Sequence, residues 1–253
     1  MLLPIFYMLA MSFRSASEIA AQPLGLPTSF DLENYSNAIG SMHYVRSVAN
    51  SLGITIAVTF VVSLLGSMAA YPLARKSGRV GRVIILLTSL SLATPGFVTI
   101  TPYYVILNNI GLLNTYAGII LVYIATNLPL AIFFYVGFIS TIPRELEEAA
   151  RLDNCGDWKV FWYVIRPLLG PATATLSLFV MLAVWNDFLF PLLLLTDDSK
   201  GTIMVSVYRF LGNFEIKPDK LFPAAVLASL PLLVLFVIFQ RRIVSGMTSG
   251  AVK

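Results

Sequence analysis

Apolar residues come in long blocks bounded by turn or charge signals. Five blocks, near 48–74, 83–107, 116–139, 168–196 and 222–240, are free of Lys and Arg through most of their length. A helix needs about 20 mostly apolar residues to cross a hydrocarbon core, so each block is expected to span a membrane. A sixth stretch, Met1 to Phe13, stops at Arg14 and is too short to span alone. It is either a short, tilted or re-entrant first helix or the downstream half of a longer one, and the second is our expectation. The pattern predicts an all-α membrane protein of six transmembrane helices, forming a single domain over 1–253 with the inner loop 140–167 between helices four and five.

Composition agrees with the pattern. Hydrophobic residues make up 57% and charged residues 12% of the 253 positions, against about 25% charged in soluble domains. Mean hydropathy is +0.81. A soluble fold with so few charges would expose large apolar patches, so a soluble enzyme is excluded. The net charge of +4 does not point to nucleic acid, because the basic residues sit at the ends of apolar blocks rather than in one patch. One cysteine, Cys155, excludes an internal disulfide and a multi-cysteine metal site, and His43 by itself cannot make a zinc site. No metal and no catalytic residue is expected.

Lys and Arg counts set the orientation. Arg75, Lys76, Arg79, Arg82, Arg144, Arg151, Lys159, Arg166, Arg241, Arg242 and Lys253 fall on one side, and only Arg14, Arg46, Lys200, Arg209, Lys217 and Lys220 on the other. The richer side is expected to be cytoplasmic, which puts both termini inside. The outer loops are then 14–46, with an amphipathic stretch from Phe30 to Ile39, the short turn 108–115, and the charged loop 197–221.

The inner loop from Ser140 to Pro167 carries the most information. Pro143 suits a first helical position, and Glu145 places negative charge in the first turn. Leu146, Ala149, Ala150 and Leu152 give this short helix a small apolar surface, with Glu147, Arg151 and Asp153 as polar partners. Asn154 suits its end because Asn tolerates the left-handed conformation. A second helix is expected to start near Asp157, present Trp158, Phe161, Trp162 and Ile165, and be interrupted around Pro167. On these features alone, a solvated loop with an interfacial aromatic helix explains the segment as well as a docking surface does.

The loop resembles the EAA motif of permease subunits from binding-protein-dependent ABC importers. Glu148, Ala149, Ala150, Asp153, Phe161, Ile165 and Pro167 match, while Asn154 stands where that family has Gly and Cys155 where it often has Ala. Trp185-Asn186-Asp187-Phe188-Leu189 with Pro191 is similar to a fifth-helix stretch of the carbohydrate branch. Phe239-Gln240-Arg241-Arg242-Ile243-Val244 with Gly246 and Gly250 to Lys253 looks like its C-terminal signature. Ser12-Phe13-Arg14 and Glu33-Asn34-Tyr35 fit its first loop. The four signatures stand in the family's order, and the maltose-transporter type is the nearest match.

The resemblance implies that Glu147, Glu148, Ala149, Ala150, Arg151, Asp153 and Asn154 form a coupling helix docked on a separate cytoplasmic ATPase. It implies a second homologous permease, two ATP-binding cassette subunits and an extracytoplasmic substrate-binding protein, in the cytoplasmic membrane of a bacterium or archaeon, with a sugar or related polyol as cargo. This chain has no Gly-x-x-x-x-Gly-Lys-Ser/Thr loop, so no cofactor is expected on it; ATP and Mg²⁺ would sit on the partner ATPase. Asn127, Trp185, Asn186 and Asp187 are candidates for the substrate pathway. Asp187 is the only acidic residue in the spans, and an intramembrane charge is a functional candidate, though an interfacial position reaching water explains it too. Thr94-Pro95 and Thr101-Pro102 supply breaks in the third span and Pro129 one in the fourth. The rival reading is a self-contained secondary transporter or channel, which would need a charge relay that one Asp does not supply.

Overall fold

The computed structural model describes residues 3–27, 30, 32–76, 78–211 and 217–251, with side chains placed through 235 and at 237. The last two residues of the C-terminal signature, Val252 and Lys253, lie outside the described residues, as do the side chains of its Phe239 to Ala251. Every regular element among the described residues is helical.

In chain order the α-helices are α1 (Leu3–Met11), α2 (Ala16–Ala21), α3 (Glu33–Ser41), α4 (Tyr44–Arg75), α5 (Arg79–Leu92), α6 (Ile100–Asn109) and α7 (Tyr116–Thr141). There follow α8 (Glu145–Leu152), α9 (Asp157–Val160), α10 (Arg166–Leu168), α11 (Gly170–Asn186), α12 (Leu189–Leu194), α13 (Ile203–Tyr208) and α14 (Pro218–Ala251). Three helices are individually long and apolar enough to cross a membrane: α4, α7, and α14 over Pro218–Leu235. Two bent pairs reach that length together, Arg79–Leu92 with Gly96–Asn109 at 102° and Asp157–Leu168 with Gly170–Asn186 at 73°.

The expected third span is therefore two helices. Pro95 has no N–H and holds the residue before it away from helical geometry, so α5 stops and the chain passes through a 3₁₀ turn at Gly96–Thr99. Pro129, in contrast, is accommodated within α7. The expected fifth span, 168–196, is shifted. Its helical run starts at Asp157, passes a π-helical segment at Phe161–Ile165 and turns at Leu169. It ends at Asn186, and Asp187 Oδ1 accepts the Leu189 N–H at 2.9 Å just ahead of α12, whose N-cap is Phe188.

The chain forms two compact units. The first comprises 1–53, 114–116 and 185–238. Its core gathers Ala38, Met42, Trp185, Ile203, Ala224, Leu227 and Ala228. The two stretches of the first-loop signature meet in this unit. Ser12 Oγ and Tyr35 Oη lie 2.6 Å apart, Asn34 Nδ2 donates to Arg14 O at 3.0 Å, and the Phe13 and Tyr35 rings sit 5.4 Å apart. Arg14, read as a loop charge, is 3% exposed and donates to the backbone carbonyls of Glu18 and Gly25. His43 is exposed at the turn before α4, with φ +45°.

The second unit comprises 54–113, 117–184 and 239–253. Here α4 and α7 approach so closely at Gly66 that a Cβ there would stand 2.6 Å from the Ala131 Cβ. Tyr135 on α7 is fully buried and donates to Thr173 Oγ1 on α11 at 2.9 Å. Small residues and interhelical hydroxyl bonds are how helices associate where lipid supplies no hydrophobic drive.

Candidate functional site

The segment 140–167 folds as two short helices joined by a tight turn. Arg144 O accepts the Glu148 N–H at 3.0 Å, so α8 starts at Glu145, two residues after Pro143 and not on it. Glu145, Glu147 and Glu148 crowd its first turn, where the helix dipole favours negative charge. Arg151 occupies the last turn, the complementary position.

The turn after α8 depends on Asn154. Its φ is +55°, a conformation that costs most L-residues about 1–2 kcal/mol and that Asn and Gly adopt most readily. Cys155 N–H donates to Ala150 O at 3.1 Å and Asn154 N–H to Arg151 O at 3.0 Å. Those two bonds make a Schellman motif, which satisfies the last carbonyls of α8 and fixes where the chain leaves it. Arg151 then reaches over the turn to Asp157 Oδ1 at 2.9 Å, an exposed ion pair.

Most of α8 faces outward. Glu145, Leu146, Glu148, Ala149, Arg151 and Leu152 are exposed, as are Asp153 and Asn154 beyond it, and Ala150 is half-buried. Leu152 is 86% exposed. Glu147 alone is buried, and its partners come from α4. Arg75 Nε donates to Glu147 Oε1 at 2.5 Å and Tyr71 Oη to Oε2 at 2.9 Å. Arg75 Nη2 also donates to Ile142 O at 2.9 Å, just ahead of α8. Both carboxylate oxygens thus have a donor, the condition under which a buried charge is tolerated. The Tyr71 ring lies 5.8 Å from that of Phe161, in the π-helical segment after α9. A cavity of about 440 Å³ opens beside these groups, lined by Tyr71, Arg75, Arg144, Glu147, Glu148, Arg151, Asp157, Trp158 and Phe161 among others.

The sequence reading grouped Glu147 with the residues offered to a partner. The structure instead turns it inward and leaves Glu148, Ala149, Arg151, Asp153 and Asn154 on the surface. Tyr71 and Arg75 were missed as members of the site. The available signal was a Tyr and an Arg four residues apart, hence on one helix face, at the end of an apolar block.

The other candidates belong to other elements. Asn127 in α7 is half-buried and donates to Tyr123 O at 2.8 Å within its own helix. Trp185 is 2% exposed and donates from Nε1 to Ala228 O at 3.3 Å, inside the apolar core of the first unit. Asn186 is exposed, and Asp187 accepts the Leu189 N–H just ahead of α12.

Comparison with known proteins gives this arrangement its context. A diacetylchitobiose uptake system permease of Streptomyces coelicolor is 35% identical over 98% of this chain and 83% of its own length. A trehalose transport system permease of Mycobacterium tuberculosis is 35% identical over 100% and 92%. A melibiose/raffinose/stachyose import permease of Bacillus subtilis is 33% identical over 99% and 91%. The fold is similar, with a TM-score of 0.80 and 22% identity over 95% of this chain and 90% of the other, to a chain of a bacterial ABC transporter involved in the import of the acidic polysaccharide alginate. Residues 46–249 match the binding-protein-dependent transport system inner membrane component family, and the chain belongs to it.

Proposed function

We propose that this permease is one half of the membrane-spanning part of an ATP-driven importer for a sugar or related polyol, and that α8 is the helix through which a separate ATPase drives it. A second permease, two ATP-binding cassette subunits holding ATP and Mg²⁺, and an extracytoplasmic binding protein complete the assembly. The chain would cross the membrane six times, with α1 belonging to the first pass and each bent pair counted as one, and with α8 and both termini in the cytoplasm. The relatives named for transport of diacetylchitobiose, trehalose and melibiose/raffinose/stachyose support the cargo class.

The observation that carries the reading is the outward face of α8. A short helix with Leu152 86% exposed, two alanines that permit close approach and a free acidic rim at Glu145 and Glu148 has the form of a surface made to be covered. ATP binding would close the ATPase pair, carry α8 with it and shift the helices between inward-open and outward-open forms. Such a shift is limited by the difference in ATP affinity between the two states.

The test is gentle extraction of the tagged chain. An ATP-hydrolysing subunit should co-purify, and Glu148→Lys should reduce its yield while leaving membrane insertion intact. Unchanged ATPase yield and unchanged transport in Glu148→Lys would remove the assignment of α8.

A further inference from the structure

An exposed helix joined to the molecule only by its two ends would swivel when pulled. The end of α4 prevents this for α8. Tyr71 and Arg75 lie one turn apart on a single face of α4 and close on both oxygens of Glu147. Arg75 holds Ile142 O as well, so one guanidinium grips α8 at its first turn and the chain entering it. Tyr71 also packs against Phe161, which brings the segment leaving the turn onto the same face of α4. Glu147 is the one buried residue of α8, 5% exposed. Of the other charged groups lining this cavity, Arg151 and Lys76 both pair with Asp157 at its rim, and Arg144 and Glu148 complete the set.

We propose that Glu147 is a positioning residue: it clamps α8 to the end of α4 through Arg75 and Tyr71, so that motion imposed on α8 is delivered directly to α4. Three routes then lead away from α8. Two follow the chain, back through Arg144 and Ile142 into α7 and on through Asp153 to Asp157 into α9. The third crosses the ion pair into α4, which is long enough to span the membrane. The proposal rests on the reading of α8 as the ATPase-driven helix and adds where its movement goes. An apolar residue at position 147 would bury just as well but would swivel; a charge held by two donors on a neighbouring helix fixes both distance and direction.

The experiment uses the whole complex in lipid vesicles, with spin labels on Lys76→Cys and Leu146→Cys in a Cys155→Ser background; both positions are exposed on the chain, and neither is among the residues assigned to the ATPase contact. The label-to-label distance is measured without nucleotide and with Mg-ATP trapped by vanadate. In the parent, one narrow distance should persist in both states, because α8 and the end of α4 move as one body. Glu147→Gln keeps an acceptor for Tyr71 but loses the charge; it should broaden the distribution and make it shift on ATP trapping, with the ATPase still bound. The exchanged pair, Glu147→Arg with Arg75→Glu, should restore the narrow distance. A purely packing role for Glu147 would lower complex yield and would not be rescued by the exchange. Retained ATPase with an unchanged narrow distance in Glu147→Gln overturns the clamp alone. Failure of the unsubstituted chain to bring down an ATPase removes the reading of α8, and the clamp with it.

Discussion

Trp185 and Glu147 are nearly equally hidden, 2% and 5% exposed, yet they hold their surroundings by different physics. Trp185 lies among Ala38, Met42, Ile203, Ala224, Leu227 and Ala228, and its contribution is contact area spread over many neighbours. Glu147 is the sole buried residue of its helix, and its contribution passes through two donors on α4. A packed cluster resists loss of one member by sharing the strain. A single clamp fails at one point, and what it releases is a helix rather than a fold.

The contrast is testable first where the effects are largest. Trp185→Ala should cost about 3–5 kcal/mol as cavity and lost packing, read as a lowered midpoint of thermal unfolding in detergent. Glu147→Ala breaks a buried pair, again at about 3–5 kcal/mol, but the cost should fall on the attachment of α8. Amide exchange across Glu145–Leu152 should quicken by about 10²–10³-fold while the global midpoint moves little. Equal midpoint shifts for both variants would abolish the distinction.

Gly66→Ala sharpens it in the second unit. The added methyl would meet Ala131 Cβ at 2.6 Å, and overpacking of this kind costs about 1–3 kcal/mol. It should lower the midpoint, as Trp185→Ala does, and leave α8 exchange unaltered. Asn154→Ala is the mildest. Forcing alanine to φ +55° should cost about 1 kcal/mol and fray the last turn of α8, while Asn154→Gly should be neutral in the same exchange measurement.

Apolar block length was enough to find α4, α7 and the start of α14, because hydropathy reports the cost of placing a segment in lipid whatever its neighbours. The breaks were legible in part. Pro95 announced the division between α5 and α6, but the break at Asp187, where the carboxylate holds the Leu189 N–H, was not legible, since an acidic residue in an apolar run reads first as a buried charge. The helix start at Asp157 was legible, but its continuation toward α11 was not, because Trp158, Lys159, Trp162 and Arg166 look interfacial and not spanning. The left-handed turn at Asn154 was readable because few residue types tolerate it. Burial of Glu147 was not, since its partners lie 72 and 76 positions away and nothing local separates it from Glu148.

The bend between α5 and α6 bears on the lipid around this protein. From Ser91 to Val98 every residue is exposed on the chain, and the irregular backbone there lacks a continuous helical ladder. Hydrocarbon offers such peptide groups no partner, at a cost of several kcal/mol for each. Acyl chains therefore cannot line this stretch within the bilayer's oily interior. Wherever the bend lies at hydrocarbon depth, the annulus of bound lipid is interrupted, with water or a neighbouring polypeptide filling the gap.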